Sequence, residues 1–255
     1  MLKEITTRMK QGYKTIKFPA GERPKMTEHY CGRPIVNQVL CKKDCNACVE
    51  ICPTGAISKE PQLKLDLGKC VFCGECENVC ESKAIHFSDE FSMSTSRRED
   101  LIVSTDEEFK TVAEMRTELK KMFGRSLKLR VVSAGGCNAC EADVNVLGTI
   151  GWDLGRFGIE YVASPRHADG LLIIGPVTKN MVLALKKTYD AIPEDKIVIA
   201  VGTCALSGGL FALNPETEAG VEGIFPVDLW VPGCPPNPIT ILDGLLRLTG
   251  KIKDL

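Results

Sequence analysis

Cysteines are the residues of this 255-residue chain whose type and spacing best indicate chemistry. Eight of the 13 cysteines fall in two runs, Cys41, Cys45, Cys48, Cys52 and then Cys70, Cys73, Cys76, Cys80. Thiolates spaced in this way bind iron-sulfur clusters: three cysteines of a run hold one 4Fe-4S cluster, and the fourth normally holds the other. The rule predicts one cluster on Cys41, Cys45, Cys48 and Cys80, and a second on Cys70, Cys73, Cys76 and Cys52.

The two runs read as an internal repeat and resemble a bacterial-type two-cluster ferredoxin, in which residues 52–57 align with residues 80–85. The chain departs from that family twice, because three residues instead of two separate Cys41 from Cys45, and Glu81 stands where proline is usual. The longer gap leaves Asp44 as a further candidate ligand. A zinc site or a disulfide framework is the alternative, but a zinc site does not require two copies of this cysteine run.

Composition restricts the class of partner. The 32 basic and 33 acidic residues leave a net charge of -1, which predicts no nucleic-acid partner. The amino terminus has no apolar signal segment, and the longest apolar stretch is far shorter than the roughly 20 residues that span a bilayer. We therefore expect a cytoplasmic protein that reaches the inner face of a membrane only through partner subunits. In a reducing compartment its cysteines point to metal rather than to disulfides.

The cluster-binding part is predicted to be an α+β ferredoxin-like domain over residues 31–88, preceded by an arm over residues 1–30. Cys31 has no second cysteine at ligand spacing and is interpreted as a small buried hydrophobe. Residues 89–126 are interpreted as a linker and a docking helix. The helix is predicted from Asp106 to Phe123, with Thr105 and Glu108 as a capping box.

Residues 127–255 alternate between strand and helix patterns and predict a flavodoxin-like α/β domain with a parallel sheet. The predicted strands are Leu127–Val132, Ile159–Ala163, Leu171–Ile174 and Ile197–Val201. The predicted helices are 139–150, 179–190 and 238–249, the last one started by Asn237 and Pro238 and closed by Gly250. Ligands of such folds lie beyond the carboxyl ends of the strands.

Four more cysteines fall at that edge of the predicted sheet: Cys137, Cys140, Cys204 and Cys234. Loops after three separate elements deliver them, and four thiolates are what a 4Fe-4S cluster requires. A structural zinc ion would be satisfied by the same four ligands, so spacing alone leaves that alternative open.

This half of the chain resembles the small subunit of energy-converting nickel-iron hydrogenases, which is related to the 20 kDa cluster-bearing subunit of respiratory complex I. The resemblance rests on the spaced pair Cys137 and Cys140, on Arg156-Phe157-Gly158, on residues 164–169, on Gly202-x-Cys204 and on residues 232–236. It implies that Cys137, Cys140, Cys204 and Cys234 hold the cluster nearest the catalytic site of a large subunit.

Three polar residues near these motifs are candidates for contacts around that cluster. Glu141 lies beside a ligand and could pass protons or tune the cluster, although a capping box with Asn138 is the alternative. Arg166 and His167 are candidates for contacts with the large subunit or the cluster, or for a plain turn.

The sequence thus predicts three [4Fe-4S] clusters and no catalytic residue on this chain. The expected function is electron transfer between a ferredoxin-type or NAD(P)H-linked donor and a hydrogenase-like large subunit. One alternative is a redox hub in a bifurcating or formate-linked complex whose large subunit lacks nickel. Another is a structural or redox-sensing iron-sulfur module.

Overall fold

The amino-terminal segment forms an exposed helix, α1 (Leu2–Gln11), where the sequence predicted only an extended arm. The computed structural model describes residues 2–12, 14–105, 108–112 and 126–252. None of the residues of α1 is buried. The chain that follows packs on the body of the protein, where the N–H of Ile16 donates to the carbonyl of Gly151 over 2.9 Å.

Short antiparallel strands and two short helices build the ferredoxin-type domain. The strands are β1 (Pro34–Val36), β2 (Ile57–Ser58), β3 (Lys64–Asp66), β4 (Ile85–Phe87) and β5 (Ile102–Val103). The helices are α2 (Ala47–Ile51) and α3 (Glu75–Asn78). Strand β1 pairs with β4, while β3 pairs with both β2 and β5. Strand β5 completes this second sheet and lies beyond residue 88, the predicted end of the domain.

The polar stretch that the sequence suggested as a linker is packed against the carboxyl-terminal half. Thr95 is fully buried and exchanges backbone hydrogen bonds of 3.0 and 2.9 Å with Trp230. Ser94 is almost fully buried too, and a Cβ added to Gly244 would lie 2.6 Å from its hydroxyl oxygen. Glycine at position 244 therefore lets the last helix approach this segment closely.

The predicted docking helix falls mostly on residues 106–107 and 113–125, outside the described residues. Residues 108–112 are described and are not helical, so the helix does not run through them as predicted. Thr105 does not cap a helix either, because its hydroxyl donates to the carbonyl of Val36 and accepts from the N–H of Gln38.

The carboxyl-terminal half is a parallel sheet with helices, as the sequence predicted. Its strands are β6 (Leu127–Ser133), β7 (Ile159–Tyr161), β8 (Gly170–Ile174), β9 (Ile197–Val201) and β10 (Leu229–Val231). Its helices are α4 (Ala139–Val146), α5 (Lys179–Ala191), α6 (Thr203–Ser207) and α7 (Pro238–Leu248). The strand order β7-β6-β8-β9-β10 is 2-1-3-4-5 in order of appearance, which is the flavodoxin-like order. The predicted fold class is therefore confirmed, although β10 and α6 were missed.

Burial explains why this sheet forms. Every residue of β8, β9 and β10 is buried, as expected for parallel strands covered on both faces. Helix α7 begins as predicted, since the side chain of Asn237 accepts a hydrogen bond of 3.0 Å from the N–H of Ile239. Within the described part of the chain, no helix combines the length and hydropathy needed to cross a membrane.

Candidate iron-sulfur sites

The ferredoxin-type domain contains two separate cysteine-lined cavities, and each holds a group of four that the sequence analysis had put together. Cys52, Cys70, Cys73 and Cys76 line one cavity, and Cys41, Cys45, Cys48 and Cys80 line the other. We call these the inner cavity and the outer cavity. The fourth cysteine of each run lies in the cavity of the other run, as the ferredoxin pattern predicts.

The lining of both cavities is apolar apart from a few side chains. Ile57, Leu65 and Phe87 contact the inner cavity, and Leu63 and Ile85 contact the outer one. Such walls keep water away from a bound group and so influence its potential.

The arrangement of the thiols bears on the zinc alternative. A zinc ion sits about 2.3 Å from each thiolate sulfur, which brings four sulfurs together around a point. In the described part of the chain, no three Cys, His, Asp or Glu side chains converge on a point in that way. Four thiols line each cavity, and four thiolates are what a 4Fe-4S cluster requires.

Hydrogen bonds to sulfur repeat in the two halves of the domain. The N–H of Ala56 donates to Sγ of Cys52 over 3.3 Å, and the N–H of Ala84 donates to Sγ of Cys80 over 3.2 Å. Hydroxyls two residues after each cysteine approach the same sulfurs, Thr54 at 3.8 Å and Ser82 at 3.6 Å. Such bonds stabilise thiolates and tune the potential of a bound cluster. The repeat in the sequence did not by itself indicate this use of its Thr and Ser positions.

Burial opposes ionisation of the innermost thiols. Desolvation raises the pKa of Cys76 to about 12, with neighbouring cysteines adding to the effect. Cys80 differs: desolvation alone would raise its pKa, but hydrogen bonds from Ser82 and from backbone N–H groups outweigh it and lower the pKa below the usual range. Buried thiols with raised pKa values ionise once a metal centre binds, since coordination deprotonates a thiol outright. The donor set therefore fits a cationic cluster core.

Lys59 binds the loop between Cys41 and Cys45, which is one residue longer than the ferredoxin pattern. Its ammonium donates to the backbone oxygens of Lys42 at 2.9 Å and Lys43 at 3.1 Å, and also to that of Cys45. These three carbonyls lie in the lengthened loop, which is thereby closed around one positive charge. Asp44 is exposed and does not line the cavity, so the structure does not support it as a ligand.

A third group of thiols lies beyond the carboxyl edge of the parallel sheet. Cys137 and Cys140 follow β6, Cys204 follows β9 and Cys234 follows β10. Burial raises the pKa of Cys140, and the nearby thiols of Cys204, Cys234 and Cys137 raise it further. Burial likewise raises the pKa of Cys204 to about 11. The structure thus brings together all four cysteines of the predicted third site.

Backbone geometry makes room for these sulfurs. Gly202 has a φ of +87°, and a Cβ at this position would lie 2.6 Å from Sγ of Cys140. Any side chain here would displace a thiol, so the Gly202-x-Cys204 motif has a steric basis. Cys137 and Cys234 are exposed, which leaves one side of the third site open to a partner.

Glu141 is not part of a capping box. Asn138 has a φ of +74° and its side chain makes no capping hydrogen bond. Instead, the hydroxyl of Ser133 at the end of β6 donates to Oε1 of Glu141. Within the described residues, Oε2 of Glu141 is buried without a hydrogen-bond partner. The carboxylate thus lies beside Cys140 with one oxygen available.

The structure does not bring Arg166 and His167 to the third site. Both are exposed and lie on a 3-10 helix, Pro165–His167, between β7 and β8. Tyr161 at the end of β7 and Gly170 at the start of β8 both pair with Leu129. The segment therefore starts and ends near the amino half of β6, away from the carboxyl edge that carries the thiols.

Cys31 is half-exposed rather than buried, contrary to the prediction. It contributes to a cavity of about 310 Å³ that lies between the two halves of the chain and is also lined by Phe72, Asp143 and Cys234. The cavity shows that the loop of the inner site and the loop of Cys234 are neighbours.

Comparison with known proteins places two families along the chain. Residues 137–248 match the family described as NADH ubiquinone oxidoreductase, 20 Kd subunit, and residues 40–84 match the 4Fe-4S dicluster domain. The probable membrane-bound hydrogenase subunit mbhJ of Pyrococcus furiosus is 40% identical over 150 residues, which cover 59% of this chain and 90% of that protein. A subunit of the NADH-quinone oxidoreductase of Desulfovibrio desulfuricans is 44% identical over 113 residues, covering 44% of this chain and 61% of that protein.

Among solved structures, the chain matches one of the membrane-bound sulfane sulfur reductase, an archaeal respiratory membrane complex. The identity is 30%, the TM-score is 0.46, and the match covers 52% of this chain and 73% of that one.

A dicluster domain joined to a flavodoxin-like sheet with four thiols at its carboxyl edge defines an iron-sulfur protein of the oxidoreductase class. The 40% identity over 90% of the Pyrococcus furiosus protein makes the assignment more specific. The chain belongs to the family of the NADH ubiquinone oxidoreductase 20 kDa subunit, here preceded by a 4Fe-4S dicluster domain.

Proposed function

We propose that this chain is an electron-transfer subunit that carries three [4Fe-4S] clusters. The ligands of the outer cluster are Cys41, Cys45, Cys48 and Cys80; those of the inner cluster are Cys52, Cys70, Cys73 and Cys76; those of the third are Cys137, Cys140, Cys204 and Cys234. When bound, such clusters supply reversible one-electron transfer. The observation that carries the proposal is the division of twelve cysteines into three groups of four at three separate places in the fold.

The positions of the three sites support an electron path that runs between the outer site and the third site through the inner site. All residues that line the outer and inner cavities lie between Cys41 and Phe87, so both belong to the ferredoxin-type domain. The inner cavity adjoins the parallel-sheet domain, because the carbonyl of Cys70 accepts a hydrogen bond of 2.7 Å from Thr203. We assign the outer site, where Cys45 is exposed, as one end of the electron path. The third site is the other end.

The partner at the third site is a hydrogenase-like large subunit. Two relatives are subunits of multi-subunit enzymes by name, a membrane-bound hydrogenase and an NADH-quinone oxidoreductase. The exposed thiols of Cys137 and Cys234 provide the surface that such a partner would cover. A ferredoxin or an NAD(P)H-linked redox subunit is the partner at the outer site, and membrane subunits associate through the large subunit.

Metal and sulfide analysis of anaerobically purified protein tests the proposal. Three clusters require about 12 iron and about 12 sulfide per chain, and electron paramagnetic resonance of the reduced protein should show three interacting 4Fe signals. Stoichiometric zinc, or iron near eight, would remove one site from the scheme.

A second candidate is a redox hub whose large subunit has no nickel site. The relative from the NADH-quinone oxidoreductase of Desulfovibrio desulfuricans favours it, because that enzyme's name refers to quinone and not to hydrogen. Nickel analysis of the co-purified complex separates the two. Stoichiometric nickel in the large subunit would support the hydrogenase-like partner, and its absence together with full iron content would support the hub.

A further inference from the structure

One buried hydroxyl connects the inner site to the third site. Thr203 is the first residue of α6 and is fully buried. Its Oγ1 lies 2.7 Å from the carbonyl oxygen of Cys70 and 3.1 Å from that of Gly233. Its backbone N–H donates to the same Gly233 oxygen over 2.8 Å.

Each of these partners belongs to a cysteine loop. Cys70 is a thiol of the inner cavity, Cys204 directly follows Thr203, and Cys234 directly follows Gly233. The side chain and backbone of one residue therefore hold three loops together, one from the ferredoxin-type domain and two from the parallel-sheet domain. The hydrogen bond from Thr203 to the carbonyl of Cys70 and the peptide bond from Thr203 to Cys204 therefore connect the two cysteines.

A neighbouring residue shows what is specific to Thr203. One turn further along α6, the hydroxyl of Ser207 donates to the carbonyl of Gly68, also over 2.7 Å. Ser207 thus binds the same ferredoxin-type loop with a bond of the same length, but its acceptor is not a cysteine. The two hydroxyls together fasten residues 68–70 to α6, and only Thr203 bonds a residue that carries a cluster-binding thiol.

We infer that Thr203 is a positioning residue whose hydroxyl fixes the Cys70 loop against the loops of Cys204 and Cys234, and so sets the separation between the inner and third sites. The inference rests on the proposed function, since the two sites matter as a pair only if both hold clusters. It also makes the inner site, rather than the outer one, the point where the two domains exchange electrons.

Thr203→Val tests the hydroxyl, because valine keeps the branched shape and loses the hydrogen bond. A buried carbonyl left without a donor is unfavourable, so the Cys70 loop should shift away from α6. In the cluster-loaded chain we expect weaker magnetic interaction between the inner and third clusters, seen as narrower resonance lines in the reduced protein. We also expect a shifted midpoint potential of the inner cluster in a redox titration.

Two matched variants complete the experiment. Thr203→Ser keeps the hydroxyl and should resemble the wild type in both measurements. Ser207→Ala removes the neighbouring bond to the same loop and should change the magnetic interaction less than Thr203→Val does, because its acceptor is not a cysteine. Wild-type spectra and potentials in Thr203→Val, or equal changes in Thr203→Val and Ser207→Ala, would overturn the inference.

Cluster uptake decides the remaining outcomes. If Thr203→Val takes up fewer than about 12 iron while Thr203→Ser takes up the full number, the hydroxyl is required to hold the loops, which supports the inference. If both variants fail to load, the residue acts through its shape and the inference is overturned. Wild-type protein with about eight iron would instead contradict the proposed function itself.

Discussion

Arg98 and Asp66 form a two-point ion pair in which Nη1 to Oδ1 and Nη2 to Oδ2 are both 2.8 Å. Their side chains are only 15% and 19% exposed. Oδ1 of Asp66 also accepts from the N–H of Gly68, and the guanidinium lies so close to Gly68 that a Cβ there would be 2.5 Å from it. The pair therefore shapes the turn that leads from β3 to Cys70.

Replacing Arg98 by Met should destabilise the chain, because Asp66 would keep a largely buried charge without its partner. Breaking such a pair costs about 3 kcal/mol, which corresponds to a fall in Tm of about 6 to 12 °C for a chain of this size. Thermal unfolding of the cluster-loaded wild-type and variant proteins at the same scan rate measures this fall in Tm. The matched control is Lys128→Met, which removes an exposed lysine paired with Glu160, also exposed, and should leave Tm nearly unchanged. Equal losses in the two variants would contradict a special role for Arg98.

The sequence predicted those parts of the molecule that depend on spacing. The cysteine groups were predicted from the number of residues between successive cysteines. Strands β8 and β9 were predicted from short aliphatic runs, which are typical of parallel strands covered on both faces. Strand β10 was missed because three residues, Leu229–Val231, are too few to show a period. Helix α6 was missed for the same reason, since it has only five residues.

Long-range partners could not be predicted in this way. Ser94 and Thr95 look like linker residues by composition, but distant partners satisfy their polar groups: Ser94 bonds Thr240, and Thr95 pairs with Trp230. Lys59 lies 14 residues from Cys45, and Thr203 lies 133 residues from Cys70. No local sequence pattern connects residues so far apart, so these contacts are visible only in the structure.

Lys59 provides a second prediction, which concerns the stability of the outer cluster. Lys59→Gln should loosen the loop between Cys41 and Cys45 and remove a positive charge from its neighbourhood. We expect a several-fold larger 3Fe signal after mild oxidation and a lower reduction potential of the outer cluster, because positive charge near a cluster favours its reduced form.

Two variants separate loop closure from charge in that experiment. Lys59→Arg keeps the charge and should retain most of the wild-type behaviour. Lys43→Gln removes an exposed charge from the same loop without removing the donor to its carbonyls. A 3Fe signal in Lys43→Gln as large as in Lys59→Gln would show that charge alone, and not closure of the loop, protects the cluster.

Cys234→Ser should separate the third site from the other two. The lining residues of the inner and outer cavities all come from the ferredoxin-type domain, so their clusters should remain. Iron content should fall from about 12 towards about 8 per chain, with both remaining clusters reducible by dithionite. Cys31→Ser is the control and should keep the full iron content. Loss of all three clusters in Cys234→Ser would contradict the independence of the sites.

Asp243 should give the stability of the chain a measurable pH dependence. Its side chain is 3% exposed, and burial raises its pKa, while Arg247 at 2.9 Å and Ser92 act in the opposite direction and Glu90 adds to the increase. A raised pKa means that folding favours the protonated carboxyl. The contribution is therefore complete below the unfolded pKa of about 3.9 and is lost as pH rises through the higher folded pKa.

Asp243→Asn removes that titration, so its Tm relative to the wild type should rise as the pH increases above about 4 and then become constant above the folded pKa. Anaerobic thermal scans of cluster-loaded protein at several pH values measure the difference. Exchange of the neutral carboxyl for an amide adds a constant offset to Tm, so only the slope bears on the pKa. Parallel pH profiles of the two proteins would contradict a raised pKa at Asp243.

The chain without its partner should not activate hydrogen. The proposed clusters use all cysteines except Cys31, and the histidines are only His29, His86 and His167. A nickel-iron centre in the hydrogenase family that the sequence resembles needs four thiolates, which Cys31 alone does not provide. We therefore expect no stoichiometric nickel and no hydrogen-dependent reduction of a viologen dye by the isolated chain, although a reduced ferredoxin should still reduce its clusters. Restored turnover on adding the purified large subunit is the positive control, and turnover by the isolated chain above background would place a catalytic centre on it.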